Sequence, residues 1–529
     1  MIKEHILSFI YKVLLKRDFL LSTLSSDSIL DILIIGGGIN GSGIAVDASS
    51  RGLRTGLFDS FDFGSATSSC SSKLIHGGLR YLEQFEFKLV AHSLKEREIL
   101  LKKAPHIVSE MRFILPHRPF LRSAWIIRLG LFLYDHLGRR TILKRSHKVN
   151  LNNEGHFKKN LKVGFEYSDC WVDDSRLVLL NAMAAKENGA EVRNYCQIVK
   201  AKRFENIWVV TIKNRLTQEV FVRKTKVLIN AGGPWAQTIV EDNLNLTSAH
   251  QIRLIKGSHI VIPKINNINK AYILQSKDKR IIFAIPYLEK FTMIGTTDIE
   301  YDGDPRFVKI SDIEKTYLLN IINEHFVNQI EQKDILWSFS GVRPLVNEKQ
   351  ESAQKISRDY ILELNLDNSM APLLSIFGGK ITTFRQLSES VVDKISQFFP
   401  DIGPCVTKER VLPGGDFSYS VETLIFQIQS KYPWLKKSII ERFVHQYGTY
   451  TYKLLKNCSN IQEMGIEFCD GLYQIEIDYL ICNEFAKNEE DILWRRTKLG
   501  LELPKEKIKP IKDYIELKLT NSLLTGTLK

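Results

Sequence analysis

The residues best suited to chemistry in this chain sit in three glycine-rich turns and one hydroxyl-rich loop. The first turn, Gly36-Gly-Gly38-Ile-Asn-Gly41, follows the β-branched run Asp31–Ile35 and opens Gly43–Ser50, whose small and apolar residues recur at helical spacing. In that strand–turn–helix setting, Gly-x-Gly-x-x-Gly binds a dinucleotide. Gly36 makes the turn, Gly38 lets a pyrophosphate approach the backbone, and Gly41 lets the helix pack close, with Ala45 and Gly52 as further small packing residues. The free N–H groups of the helix start face the phosphates. A second strand, Thr55–Phe58, ends at Asp59, an acid placed to accept bonds from the adenosine ribose hydroxyls. The loop Ala66–Gly78 brings Thr67, Ser68, Ser69, Lys73 and His76, which can lie along an extended cofactor. The second turn ends the run Val227–Gly233 and contains Gly232. The third, Phe377–Thr383, contains Gly378, Gly379, Lys380 and Thr382. One fingerprint does not separate NAD from FAD. Three separated turns suit a cofactor that runs across a whole sheet face, and FAD is the expectation.

The elements that must position these residues follow from the hydrophobic pattern. Strand, helix and strand over Asp31–Phe58 form a βαβ unit, which requires a parallel sheet with crossover helices. Helical periodicity runs from about Glu83 to Lys103, and a polar, irregular stretch from Lys144 to Lys162. Strands are expected at Ile207–Lys213, Val227–Ile229, Gly257–Ile262, Arg280–Ile285 and Thr292–Thr297. The last 120 or so residues carry helical patterns and few glycines after Gly414-Gly415. The fold expected is α/β. A doubly wound FAD-binding domain, discontinuous over 31–400, carries an interleaved α+β substrate domain at roughly 91–160 and 255–335. An all-helical domain fills 401–529, and residues 1–30 form an N-terminal extension.

Composition narrows the class. At 529 residues, 44% hydrophobic and 25% charged, the chain is an ordinary multidomain globular protein. Its seven cysteines are odd in number and lack CxxC spacing, which argues against a disulfide framework and a zinc ribbon. No metal site is expected. No stretch has the ~20 apolar residues of a membrane span. The most apolar, Ala124–Leu137, includes Arg128, Asp135 and His136; Trp125–Arg140 reads first as a buried core helix and second as a surface anchor. Met1–Leu24 reads equally as an anchor or a tail. The net charge of +13 favours acidic partners.

The motifs together carry a resemblance. IIGGGINGSGIAVDASSRGL, ATSSCSSKLIHGGLRYLE, APHIVSEMRFILPHRP, FEYSDCWVDDSRLVL, INAGGPWA, RLIKGSHIVIP, MIGTTDIEYDGDP, SGVRPL, ISRDY, FGGKITTFR, VLPGG and LWRRTKLGL run from Asp31 to about Gly500. The chain resembles the aerobic, FAD-dependent glycerol-3-phosphate dehydrogenases of the bacterial type, and lacks the calcium loop of their mitochondrial relatives. The resemblance implies oxidation of glycerol 3-phosphate to dihydroxyacetone phosphate, with electrons passed from FAD to a membrane quinone. It implies a cytoplasmic protein, peripheral on the inner membrane's cytoplasmic face and held to an anionic lipid surface; a homodimer is compatible with it.

A phosphate dianion requires fixed cations. By motif position these are Arg80, Arg343, Arg358 and Lys380, with Tyr81 and Thr296 adding hydroxyls; an arginine fork donates two parallel bonds to a phosphate. Arg343 stands out, in a turn after an apolar run. His259 is the first choice for the base that takes the hydroxyl proton, with Arg343 and Lys380 stabilising the developing alkoxide. His76 falls near the flavin. The rivals are an oxygen-reducing oxidase of the same fold, a flavin amine oxidase, and a basic nucleic-acid-binding protein. The last has no recognisable motif in support, so no nucleic acid is expected as a partner.

Overall fold

The computed structural model describes residues 29–118, 123–138, 142–267, 269–276, 278, 280–346, 360–366 and 370–525. The expectations for Met1–Leu24 and Arg358 fall outside these residues.

β1 (Ile29–Ile35) is followed by α1 (Ile39–Ser50) and β2 (Thr55–Phe58). β1 lies between β2 and Val220–Asn230, parallel to both. The row continues on one side to Leu373–Gly378 and Tyr360–Asn365, and on the other to Glu191–Arg193. Ile35 pairs with Phe58 and Asn230, Asn230 with Ser375, and Phe58 with Arg193. The carboxyl ends of these parallel strands therefore line one edge, where open α/β sheets bind ligands. Three stretches of the chain, far apart in sequence, supply that edge. Buried on both faces, the Ile32–Ile35 part of β1 reads as an unbroken apolar run rather than an alternation.

The second sheet is mainly antiparallel. It runs from Ile299–Glu300 through Ile252–Pro263, Phe291–Gly295, Ile281–Tyr287, Ala271–Gln275, Val108–Pro116 and Val163–Val172 to Leu74–Ile75. Trp337–Val346 adds to Ile252–Pro263 along its whole length. This sheet thus draws on chain beyond 91–160 and 255–335, at both 163–172 and 337–346. The irregular stretch 144–162 holds a short strand, His147–Asn150.

The C-terminal domain buries its own core, with Leu424, Phe443, Leu480 and Ile511 among its members. It is not wholly helical, since Glu467–Cys469 and Leu472–Tyr473 form a small hairpin. Buried ion pairs fasten it to the sheet domain: Arg176 to Glu484, Arg495 and Arg496 to Asp62, and Lys498 to Asp173.

Two readings are corrected. Helix Ala124–His136 is not a buried core helix. Ile127, Leu131 and Tyr134 face inward, but Trp125 is 67% exposed and Phe132 57%, with Ile126 and Leu129 also outward. The helix is apolar on two faces, and composition alone cannot divide them. Gly52 serves the turn and not packing: its φ is +94°, and nothing lies within 4 Å of a Cβ placed there.

Candidate active site

The first turn has the geometry a dinucleotide requires. Gly36 has φ +100°, and a Cβ at Gly41 would fall 1.8 Å from its carbonyl oxygen, so the turn closes only with glycine at both places. Gly38 differs. It has ordinary backbone angles, and a Cβ there would meet only Ser68 Oγ, at 3.2 Å. That side is open for a ligand. Gly38 starts α1 without a side-chain cap, and the Ile39 N–H is held by Ser68 Oγ at 3.0 Å.

Asp59 ties the turn to β2. Its carboxylate accepts from the Gly37 N–H at 2.6 Å and the Phe61 N–H at 2.7 Å. Burial pushes its pKa up to about 6 against those two bonds. Each oxygen keeps a second lone pair for a hydroxyl. The three glycine turns come together here. A Cβ on Gly36 would strike the Ala231 oxygen beside Gly232, and the Asn40 amide donates to the Gly378 oxygen at 3.2 Å. Gly232 is fixed by its N–H on Asn230 Oδ1, and Asn40 Oδ1 is buried with no hydrogen-bond partner. An open approach to the helix start, an acid at the second strand and an orphaned acceptor between the turns fit FAD.

The hydroxyl-rich loop is the hub of the site. Thr67 Oγ1 donates to the Val342 oxygen at 2.6 Å, which joins the loop to the strand bearing Arg343. Ser72 Oγ lies 3.0 Å from His259 Nε2. The His76 N–H donates to Thr382 Oγ1 at 3.3 Å, and the Lys380 ammonium sits 4.1 Å over the Tyr81 ring. Ser69 offers its carbonyl to Lys73, whose ammonium is committed to Asp174 at 2.7 Å. Lys73 thus braces the loop from beneath. Arg80 is half-buried in the turn Leu79–Gln84, beside Tyr81.

Arg343 donates one fork nitrogen to Asp298 and the other to Thr296 Oγ1 at 3.1 Å. Glycine leaves room across from it: a Cβ on Gly257 would lie 2.5 Å from Thr296 Oγ1 and 2.7 Å from Arg343 Nη2 and would displace both. His259 is buried and stacked on Phe339, ring centres 4.8 Å apart. Burial, then Arg343 and Lys73, lowers its pKa to about 3. It is neutral near pH 7, the state in which a histidine accepts a proton.

The structure thus gathers Thr67, His76, His259, Thr296, Arg343, Lys380, Tyr81 and Thr382 around one loop. Sequence reading passed over Ser72, Asp298, Phe339 and Asn40, which hold them. Asp298 carried a signal, an acid in the same short motif as Thr296; Ser72 was one serine among many.

Comparison with known proteins supports the same cofactor. A family model described as FAD dependent oxidoreductase matches residues 31–385, and one described as the C-terminal domain of alpha-glycerophosphate oxidase matches residues 405–517. The chain is 48% identical over 471 residues to the aerobic glycerol-3-phosphate dehydrogenase of Escherichia coli strain K12, covering 89% of this chain and 94% of that one. It is 42% identical over 477 residues to D-erythritol 1-phosphate dehydrogenase of Brucella abortus, covering 89% and 95%. It also superposes on the FAD complex of glycerol-3-phosphate dehydrogenase from Bacillus halodurans with TM-score 0.73 at 27% identity, covering 95% and 97%. The chain belongs to the FAD-dependent oxidoreductases and, among them, to the glycerol-3-phosphate dehydrogenases.

Proposed function

We propose that the protein oxidises sn-glycerol 3-phosphate to dihydroxyacetone phosphate and delivers the electrons to a quinone at a membrane surface. The observation that carries this reading is the loop 66–82, which brings one arginine fork, one lysine and one neutral histidine to the edge where the glycine turns meet. The Arg343 fork, steadied by Asp298 and Thr296, takes the phosphate, with Arg80 and Lys380 adding charge. His259 takes the C2 hydroxyl proton as the C2 hydride leaves. Docking a dianion beside Arg343 offsets the positive charge that adds to burial in holding the His259 pKa down, so the base strengthens when substrate arrives. FAD, when bound, supplies the hydride acceptor and the two-electron path to the quinone.

No helix among the described residues is long and apolar enough to cross a membrane. The outward face of Ala124–His136, with Phe85 (79% exposed) at the end of the adjoining turn, supports peripheral docking. The net charge of +13 adds attraction to anionic lipid on the cytoplasmic face.

The test is anaerobic reduction of the purified yellow protein by glycerol 3-phosphate, glycerol and D-erythritol 1-phosphate, followed by reoxidation with a short-chain quinone or with air. Bleaching by glycerol 3-phosphate and fast recovery with quinone are expected. Preference for the erythritol ester would replace the substrate, and rapid peroxide formation in air would replace the acceptor. Co-sedimentation with anionic vesicles, weakened but not abolished by salt, checks the docking.

A further inference from the structure

The motif Leu493–Leu501 belongs to the C-terminal domain, remote in sequence from every residue of the site. Two separate rows of contacts nevertheless run from it to the site.

The first row is aromatic. Trp494 stacks on Trp337 with ring centres 4.8 Å apart, Trp337 lies 4.9 Å from Phe339, and Phe339 stacks on His259 at 4.8 Å with the planes 11° apart. Trp337 and Phe339 alternate along the strand Trp337–Val346, so their rings stand on one face. Gly341 and Arg343 continue that face. Phe339 and His259 are directly opposed across the two strands, as are Gly341 and Gly257. A Cβ on Gly341 would fall 2.7 Å from the Cys70 Cβ, so the hydroxyl-rich loop seats on this strand through the missing side chain.

The second row is polar. Lys498 Nζ reaches Asp173 and donates to Ser175 Oγ at 3.0 Å. The next residue, Asp174, accepts from Lys73 Nζ at 2.7 Å and Ser71 Oγ at 2.7 Å. Ser71 precedes Ser72, the residue that meets His259 Nε2. The two rows fix the same histidine from two sides, one by its ring face and the other by its ring nitrogen.

We propose that Trp494 and Lys498 are positioning residues for the oxidation: Trp494 sets the ring plane of His259 through the aromatic row, and Lys498 sets the loop through Asp173 and Asp174. The C-terminal domain is then part of the frame of the active site. This rests on the roles given above to His259 and the loop.

The experiment compares W494F, W494L, K498R and K498M in the full, flavin-loaded chain, with H259N as reference. Two quantities are read: kcat against KM for glycerol 3-phosphate, and the alkylation rate of Cys70 by peptide mapping. W494L is expected to lower kcat about tenfold with KM within about twofold, and W494F, which keeps a stacking ring, to stay near wild type. K498M is expected to alkylate at Cys70 several-fold faster, and K498R to behave as wild type. Wild-type kcat in W494L together with unchanged alkylation in K498M overturns the proposal. So does loss of flavin from W494F and W494L alike, which marks the tryptophan as architectural only. If K498M does not fold, the W494F and W494L pair decides. Wild-type kcat in H259N refutes the role of that histidine, and Cys70 alkylation still decides whether the C-terminal domain positions the loop.

Discussion

Gly38 and Arg343 separate ligand effects from folding effects. The protein has room for a side chain at Gly38, whose backbone angles are ordinary and whose added Cβ would press only on Ser68 Oγ. G38V should therefore fold and leave purification colourless, as read by flavin absorbance and an unchanged far-ultraviolet spectrum. At Arg343 the fork is held by Asp298 and Thr296, which fix its plane for a phosphate to meet. R343A should cost about 2–4 kcal/mol in kcat/KM for glycerol 3-phosphate. R343K should recover little, because an ammonium cannot reproduce two parallel bonds. The loss on unphosphorylated glycerol should be much smaller; equal losses would make Arg343 a structural residue.

Between elements, one fastening is a fully buried bidentate pair. Arg176, on the helix Asp174–Glu187, meets Glu484 at the end of Gln474–Asn483, both fully buried. Removing one partner strands the other charge, so E484A should cost about 3–5 kcal/mol, measured as a shift in denaturant midpoint. Apolar replacement of both residues should recover most of that. The elements nearest the cofactor were legible in the sequence: β1, α1 and β2 are local, and each glycine and acid is dictated by its own turn. Strands at Ile207–Asn214, Ile281–Tyr287 and Phe291–Gly295 were legible for the same reason, being short β-branched runs. What sequence could not show is contact made across the fold. Nothing in the sequence links Trp337, Phe339 and Trp494, and only the folded chain places them in a row ending at His259. The same limit hid the outer face of Ala124–His136, because apolar residues look alike whether they face a core or solvent.

The whole molecule carries an acid limit. His259 and His106 are buried with pKa values near 3, and His325 near 4, each lowered first by burial. The unfolded chain takes up these protons near pH 6.5. Between that pH and about 3 the unfolded state binds more protons, so stability is full above pH 6.5 and falls as the pH is lowered through this window. His106 lies against Gly414 and Gly448, where the two domains meet. A thermal-melting series from pH 7.5 to 4.5 should show a falling midpoint, and H106N should flatten part of that slope. The sheet edge that gathers the three turns has a consequence of another kind, in the timing of synthesis. A ribosome adds about 5–20 residues per second, so Gly378 emerges on the order of 15–70 s after Gly36. Until then Leu228–Asn230 waits unpaired on the flank away from β1, where Val220–Thr225 already has Ile207–Asn214 as its partner: a short open edge in a nascent chain. The cradle is a late product of translation, and flavin is captured by a polypeptide whose first fingerprint has already spent most of its synthesis outside the exit tunnel.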